Sequence, residues 1–378
     1  MRDFRLLVIN PGSTSTKLAE FYGEEAVWQA TVRHRAEELQ KFAKIIDQLD
    51  YRFEMIEEFL REKRVDPGEM DAYAARGGIL RPLPGGTYAV DEVMLADLRN
   101  GTYGYHASNL GALIAHRFSV RYGKPAYIVD PVTVDEMDDV ARVTGLPEIS
   151  RVSIFHALNQ KAVARRVAAE LGRPYRELNL IVAHLGGGIS IGAHRRGRVV
   201  DVNNAVTGDG PFSPERAGGL PVGGLVDLCF SGYTKEEVMR RLVGGGGLVA
   251  HLGTSDATEV EGRIAAGDEK AKLVYQAMAY QVAKAIGASA VVLEGRVDAI
   301  VLTGGLAHSA MLTDYIRRRV EFIAPIRIYP GEEEMRALAE GVLRVLLGEE
   351  EARRYGERAE GDWEWQKEKV PWAYSHAR

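Results

Sequence analysis

The chain has 378 residues, of which 46% are hydrophobic and 27% are charged, and its formal net charge is −5 at pH 7. This length favours two domains over a single hydrophobic core. The acidic balance excludes a global basic field that would collect nucleic acid or an anionic membrane, so acidic ligands need a few placed basic side chains. Cys229 is the single cysteine, which excludes an internal disulfide and a thiolate metal cluster.

The first half of the sequence reads as strands that end in turns, with helices between them. A buried strand over residues 6–9 ends at Asn10-Pro11-Gly12 and returns as a strand over 18–22. Its apolar stretch is too short for a signal segment or a membrane span. Residues 36–64 have the apolar spacing of one or two amphipathic helices. Further predicted elements are a strand over 72–75, a helix over 108–120 capped by Ser108 or Asn109, a strand over 126–129 and a helix over 153–171.

A second cycle of strands and turns begins at Asn179. A buried strand over 180–183 leads into the sequence HLGGG, followed by strands over 189–193 and 198–202. Helices are predicted over 233–243, 255–266 and 268–290, then a buried strand over 299–302 and a helix over 334–347. The acidic run over 135–139 is predicted to be a solvated face. The charged tail carries Trp363, Trp365 and Trp372, which predict that it packs on the folded part.

The strand-and-turn unit occurs near the start of each of two similar-sized halves. In each half a buried strand runs into a glycine-rich turn and returns as another strand. This repetition predicts an α/β protein built from duplicated domains with a cleft between them.

The turn over residues 10–17 combines small residues, four hydroxyl groups and a cation. Gly12 lets the backbone approach a ligand closely, and the hydroxyls of Ser13 and Ser15 would join turn N–H groups around phosphate oxygens. Lys17 would place a positive charge beside the outer phosphates. The turn lacks the Gly-Lys-Ser/Thr ending of a helix-capping phosphate loop. A polar hairpin turn is the alternative interpretation.

Two further glycine-rich turns follow buried strands. The triple glycine at 186–188 lies between two apolar strands, where glycine is usually retained because a ligand or another backbone comes close. Gly304 and Gly305 follow the strand over 299–302 in the same way. Together the three turns predict a site for ATP, but they do not identify the acceptor.

Three segments resemble the butyrate kinase family: residues 8–17 (VINPGSTSTK), 183–188 (AHLGGG) and 302–308 (LTGGLAH). Residues 153–161 (SIFHALNQK) and 209–216 (DGPFSPER) strengthen the resemblance, which covers the chain to about residue 347. That family belongs with acetate kinase in the sugar kinase, Hsp70 and actin superfamily. The resemblance implies two actin-like, ribonuclease H-like domains with the nucleotide in their cleft. The first of these domains would be residues 1–150, with segment 335–378 packing back on it. The second would be a C-terminal nucleotide-binding domain over residues 151–334.

The resemblance also implies the reaction and the residues that serve it. ATP and a short-chain carboxylate would give ADP and an acyl phosphate, with Mg²⁺ as cofactor. Arg76 and Arg216 match the arginines that hold the carboxylate and the transferring phosphoryl group, and Asp130 matches the acidic residue beside that group. His184 matches the histidine that donates to the transition state, and His156 matches a second active-site histidine. The other matches are the phosphate residues Asn10, Gly12, Ser13, Ser15, Lys17, Gly186, Gly187 and Gly188, the adenosine residues Gly304 and Gly305, and the magnesium-associated Asn10 and Glu334, with the register open by one among Glu332, Glu333 and Glu334.

The chemistry of such a reaction suits these residue types. Two arginines offset the repulsion between an anionic acceptor and an anionic phosphate through planar bidentate contacts. A carboxylate is already ionised at pH 7 and needs no strong base, so Asp130 is expected to position Mg²⁺ or its waters. Taken singly, Arg76 would read as a surface arginine, His184 as a core histidine and Asp130 as a turn residue.

Other functions stay open at this point. A sugar or polyol kinase of the same fold would use an aspartate base, and a nucleotide-switched binder would need no catalysis. The preferred acceptor is expected to be butanoate, with acetate, propionate and isobutyrate as alternatives, because a methylene contributes about 1–3 kcal/mol of discrimination. We expect a cytoplasmic homo-oligomer that binds neither nucleic acid nor membrane.

Overall fold

The structure is a computed structural model that describes residues 3–357. Within these residues the chain divides into two compact units, one running up to Val134 and resuming at Glu333, the other spanning Asp135–Glu332. The boundary predicted from the sequence lies at residue 150. The tail tryptophans at 363, 365 and 372 lie outside the described residues, as do residues 358–378 of the segment predicted to pack back.

Both units are built on short strands that end in polar turns. The strands are β1 Arg5–Pro11, β2 Ser15–Tyr22, β3 Glu25–Arg33, β4 Ala72–Arg76, β5 Thr87–Ala89, β6 Ala126–Val129, β7 Asn179–Leu185, β8 Ile189–Arg195, β9 Arg198–Val202, β10 Ala299–Gly304, β11 Ile326–Pro330 and β12 Arg353–Arg354.

The helices vary from single turns to one of 24 residues. They are α1 Ala36–Leu39, α2 Leu49–Glu62, α3 Glu92–Asn100, α4 Asn109–Tyr122, α5 Asp139–Arg142, α6 Ala157–Glu170, α7 Val222–Cys229, α8 Lys235–Leu242, α9 Gly247–Leu252, α10 Ala257–Ala265, α11 Glu269–Val292, α12 Ala310–Val320 and α13 Glu334–Leu346. Among the described residues, no helix combines the length and the apolar character needed to cross a bilayer.

The first unit is built on a seven-stranded sheet in the order β12-β5-β6-β4-β1-β2-β3. β1 and β2 form an antiparallel hairpin, whereas β1, β4 and β6 are parallel neighbours. Helix α2 turns Phe53, Ile56 and Leu60 into this unit's core, which is the spacing expected of an amphipathic helix. Side chains that follow β1, β4 and β6 therefore lie along one edge of the sheet, at the carboxyl ends of the strands.

The second unit is built on a five-stranded sheet in the order β11-β10-β7-β8-β9. β7 and β8 are antiparallel, and β7, β10 and β11 run parallel. Apolar residues on both faces of β7 and β10 are buried, and helix α11 packs on β7 and β8. As in the first unit, the turns that follow the parallel strands meet at one edge.

Most predicted elements occur within a few residues of their expected bounds, with two instructive differences. The helix predicted over 153–171 begins at Ala157, because the carbonyl of Ile154 accepts from the amide of Ala205 and this holds the preceding segment outside the helix. Ser108 occupies the N-cap position of α4 without making a cap bond. Its hydroxyl instead lies 2.8 Å from Nδ1 of His106.

Candidate active site

Three predicted site residues of the first unit follow its parallel strands. Asn10 lies near the end of β1, Arg76 ends β4, and Asp130 comes directly after β6. The register pairs Ile9 with Ala75 and Arg76 with Val129, so the three side chains belong to adjacent strands at the same edge. The carboxyl edge of a parallel sheet is where α/β proteins bind ligands.

Glu334, the first residue of α13, contacts two of these side chains. Its Oε1 is ion-paired with Nη1 of Arg76, and its Oε2 accepts a hydrogen bond of 2.8 Å from Nδ2 of Asn10. The Arg76 and Glu334 side chains are 26% and 16% exposed, so the pair is partly reachable by solvent. Glu332 lies elsewhere, with Oε1 2.9 Å from Nε2 of His184.

Asp130 has an unusual backbone. Its φ of 36° lies in the left-handed region, which residues other than glycine, asparagine and aspartate rarely adopt. The side chain is buried, and Oδ1 accepts a hydrogen bond of 2.7 Å from the amide of Gly86. Backbone strain of this kind persists where the surroundings enforce it and is concentrated at functional sites.

The turn between β1 and β2 is anchored from the interior by Arg52 of α2. Arg52 is 1% exposed, and its guanidinium donates to the carbonyl of Gly12 at 2.7 Å and to that of Ser13 at 2.8 Å. Burial lowers the pKa of Arg52 to about 10. Ser15 closes the turn by accepting from the amide of Gly12, and exposed Lys17 pairs with Asn10 across the hairpin. Directly opposed residues share a face of a sheet, so Lys17 and Asn10 project together.

The second unit brings its predicted residues to the carboxyl edge of its own sheet. His184 pairs with Thr303 in the parallel register of β7 and β10, and Gly304 pairs with Pro330 of β11. The glycines at 186–188 and the pair Gly304 and Gly305 therefore follow neighbouring strands. Gly305 is exposed, whereas Gly304 is packed against the backbone of Leu185.

His184 and His156 form a stacked pair, with ring centroids 3.7 Å apart and planes inclined by 9°. His184 is 1% exposed, and its Nδ1 lies 2.8 Å from Oδ1 of Asn159. His156 stands just before α6 with its Nδ1 2.9 Å from the hydroxyl of Ser190. The distance from Nε2 of His184 to Glu332 is short, but the two groups are not aligned as a hydrogen bond.

Arg216 lies against the triple-glycine turn. A Cβ on Gly188 would come within 1.9 Å of Nη1 of Arg216, so any larger residue would displace the guanidinium. That same nitrogen donates to the carbonyl of Ala205. Burial lowers the pKa of Arg216, although the neighbouring charge of Glu215 acts in the opposite direction. The glycine here makes room for a cation beside the turn.

Several side chains at these edges were not among the predicted site residues. Arg52 anchors the first turn, Asn159 and Ser190 hold the two histidines, and His106 lies near Arg76. Burial and then the charge of Arg76 lower the pKa of His106. Asn159 lies within the segment 153–161 that carries the resemblance, but its contact with His184 follows only from the fold.

Comparison with known proteins agrees with this architecture. Residues 149–328 match the family model described as the acetokinase family. The chain is 55% identical over 353 residues to butyrate kinase 2 of Clostridium acetobutylicum, covering 93% of this chain and 99% of that protein.

Solved structures of similar fold include two carboxylate kinases. The acetate kinase of Porphyromonas gingivalis superposes with a TM-score of 0.74 at 19% identity, covering 91% of this chain and 100% of that one. The propionate kinase of Francisella tularensis superposes with a TM-score of 0.70 at 20% identity, covering 89% and 98%. These likenesses confirm the predicted duplicated α/β, actin-like fold. Because it matches the acetokinase family model and is 55% identical to butyrate kinase 2 over 93% of its length, this chain belongs to the acetokinase family.

Proposed function

We propose that this protein transfers a phosphoryl group from ATP to the carboxylate of a short-chain fatty acid, with butanoate as its preferred acceptor, giving butanoyl phosphate and ADP. The observation that carries the proposal is Arg76, which ends a parallel strand and holds a carboxylate at the ligand-binding edge of the sheet. The preference for butanoate rests on the 55% identity to butyrate kinase 2.

The repulsion between two anions sets the task for the basic residues. Phosphoryl transfer is accelerated mainly by positioning and by stabilising charge on the equatorial oxygens. Arg76 would hold the acceptor carboxylate, and Arg216 would bind the transferring group. The partial burial of Arg216 strengthens its interaction with an anion, because a lower local dielectric screens charge less.

The phosphate-binding assignments follow the turns. Ser13 and Ser15 offer hydroxyls at the first turn, and Lys17 stands exposed beside them. Gly186 and Gly187 would let the second turn approach the phosphates, and Gly304 and Gly305 would meet the adenosine. Arg52 supports these assignments, because a buried cation behind the first turn favours an anion in front of it.

A magnesium ion fits the pair Asn10 and Glu334. In the described part of the chain no group of three or more His, Cys, Asp or Glu side chains could enclose a metal. Mg²⁺ does not need such a cage, because it usually keeps several waters and binds one or two carboxylates and the substrate phosphates. When bound, it would neutralise charge on the nucleotide. Asp130 is held by the amide of Gly86 and would orient the ion's waters.

A trapping assay tests this function directly. Hydroxylamine converts an acyl phosphate into a hydroxamate, so the purified protein with Mg²⁺-ATP should form hydroxamate from acids of two to six carbons, with the highest kcat/KM for butanoate. A preference for acetate would reassign the acceptor. ADP release with a neutral sugar and no hydroxamate with any acid would instead favour a sugar kinase.

Arg216→Ala and Lys17→Ala separate the assigned roles. Arg216→Ala should collapse kcat while ATP binding is retained, and near-normal turnover would remove Arg216 from the mechanism. Lys17→Ala should raise KM for ATP more than KM for the acid. The opposite pattern would reassign the first turn.

We also propose a cytoplasmic homo-oligomer. Helix α7 supports this, because Val222 and Val226 on it and Phe230 at its end are exposed apolar side chains, and exposed apolar patches mark association surfaces. The one cysteine, Cys229, is exposed and suits a reducing compartment. Light scattering after size exclusion would measure the mass, and a monomer at micromolar concentration would refute the oligomer.

A further inference from the structure

Four side chains form a hydrogen-bonded series that ends on His156. The hydroxyl of Tyr175 lies 2.7 Å from Nδ1 of His194, and Nε2 of His194 lies 3.0 Å from Oε1 of Gln160. Nε2 of Gln160 donates to the hydroxyl of Ser190 at 2.8 Å, and that hydroxyl contacts Nδ1 of His156 at 2.9 Å. We call Tyr175, His194, Gln160 and Ser190 the relay.

The direction of every hydrogen bond in the relay follows from one backbone group. Nε2 of Gln160 also contacts the carbonyl oxygen of Ser190 at 3.0 Å. A carbonyl oxygen can only accept, so the amide nitrogen must face it and the amide oxygen must face His194. His194 therefore donates from Nε2 to Gln160 and accepts at Nδ1 from the hydroxyl of Tyr175.

The neutral state of His194 agrees with this direction. Its ring is fully buried, and burial, followed by the charges of Lys161 and Arg165, lowers its pKa well below the usual value. A neutral imidazole carries one donor and one acceptor, as the relay requires. Lys161, one of these two charged groups, is paired with Glu136.

At the other end, the hydroxyl of Ser190 has one role left. Its oxygen accepts from Gln160 and, at a distance of 3.5 Å, from the backbone amide of His156. Its own proton is then directed at Nδ1 of His156, which must accept. A neutral imidazole that accepts at Nδ1 carries its proton on Nε2.

The space for the relay is made by a glycine in the middle of β8. A Cβ on Gly192 would come within 2.5 Å of Oε1 of Gln160 and 3.1 Å of Nε2 of His194. Glycine inside a strand weakens it and is usually retained where something must approach closely. Here the groups that approach are the hydrogen-bonded side chains of Gln160 and His194.

We propose that the relay is a set of positioning residues that keeps neutral His156 as the Nε2–H tautomer, so that its ring is a hydrogen-bond donor toward the transferring phosphoryl group without carrying a charge. The donor role rests on the proposed function, whereas the tautomer does not. His184 has a different partner, Asn159, and the relay does not act on it.

The tautomer can be measured without substrate. Long-range proton–nitrogen correlation spectra of the full chain labelled with ¹⁵N-histidine distinguish the two neutral tautomers, and His156→Gln identifies the signal by its loss. We expect the Nε2–H tautomer in the native protein and a mixture in Gln160→Met. An Nδ1–H tautomer in the native protein, or an unchanged spectrum in Gln160→Met, would overturn the proposal.

Kinetics then separate positioning from folding. Loss of a correctly oriented histidine donor should lower kcat roughly 10- to 100-fold in Gln160→Met, with KM for ATP within about threefold. Gly192→Ala displaces the same hydrogen bond by a different route and should shift the tautomer and kcat in the same direction. Tyr175→Phe should have a smaller effect of the same sign, and Tyr233→Phe, a hydroxyl deletion outside the relay, is the matched control.

The outcomes distinguish the two proposals. A native Nε2–H tautomer that is lost in Gln160→Met supports the relay even if no acyl phosphate is formed, and in that case the proposed function fails alone. If Gln160→Met does not fold, Gly192→Ala and Tyr175→Phe give the same test. A kcat in all three variants equal to that of Tyr233→Phe would refute the positioning role.

Discussion

Replacing Arg52 by methionine keeps the aliphatic length of the side chain and removes four hydrogen bonds from its guanidinium. The acceptors are the carbonyl oxygens of Gly12 and Ser13 and, twice, Oε1 of Gln48. A neutral acceptor left without its donor inside the protein costs about 1–3 kcal/mol. Gln48 is buried, whereas Gly12 is partly exposed and Ser13 is exposed, so the loss from the three acceptors lies in the lower half of roughly 3–9 kcal/mol.

Part of that loss is recovered because the charge no longer has to be buried. Burial lowers the pKa of Arg52 from its ordinary value to about 10, which corresponds to at most about 3 kcal/mol, reduced by solvent screening. The net destabilisation should then be about 3 kcal/mol. For a domain of this size it lowers Tm by roughly 6–12 °C. KM for ATP should rise as the turn loses its anchor, and KM for the acid should change less.

Chemical and thermal unfolding of Arg52→Met check this estimate, with steady-state kinetics on the same preparations. Arg61→Met is the matched control, because Arg61 is exposed on the same helix. Arg52→Lys should recover part of the stability through one of the carbonyls. An unfolding free energy for Arg52→Met within about 0.5 kcal/mol of the control, with an unchanged KM for ATP, would refute the anchoring argument.

Three further predictions concern single side chains. Burial lowers the pKa of His34 to about 4, so the unfolded chain binds the extra proton and stability should fall by about 2 kcal/mol as pH drops from about 6.5 to 4; His34→Gln should flatten this part of a pH series of denaturant melts, and an equal slope would contradict it. Glu334→Gln should raise the Mg²⁺ concentration for half-maximal velocity more than Glu333→Gln, and equal shifts would leave the magnesium residue unassigned. Asp130→Asn keeps the acceptor for Gly86 and tolerates a positive φ, so Tm should stay near native while kcat falls roughly 10-fold or more; a native kcat would leave Asp130 as a turn residue.

The sequence was most informative where one local pattern determines the structure. An apolar run followed by asparagine, proline or glycine predicted β1, β6, β7 and β10, because a buried strand and its turn need little from the rest of the chain. The edge positions of Asn10 and His184 followed from those strands, and that of Arg76 followed from the strand predicted over 72–75. Their roles came from the resemblance and stay predictions.

Contacts between distant segments were the part that sequence patterns could not supply. The acidic run over 135–139 was predicted to be solvated, which is wrong for two of its members. The Asp135 side chain is 4% exposed and paired with Arg142, and Glu136 is paired with Lys161. Charged side chains are rarely buried without a partner, and the partners lie on helices whose positions only the fold determines.

For the two histidines, the sequence likewise could not predict which ring nitrogen carries the proton. In the sequence each is a single histidine near small polar residues, and nothing local distinguishes a donor from an acceptor. In the structure the rings are stacked, yet His156 contacts a hydroxyl and His184 contacts an amide oxygen. The direction of the hydroxyl proton follows from two donors to its oxygen, the backbone amide of His156 and Gln160, and a backbone carbonyl on β8 orients Gln160. A hydrogen-bond donor can thus be specified by a group that never meets the substrate, and substitutions there should alter catalysis without altering any residue of the site itself.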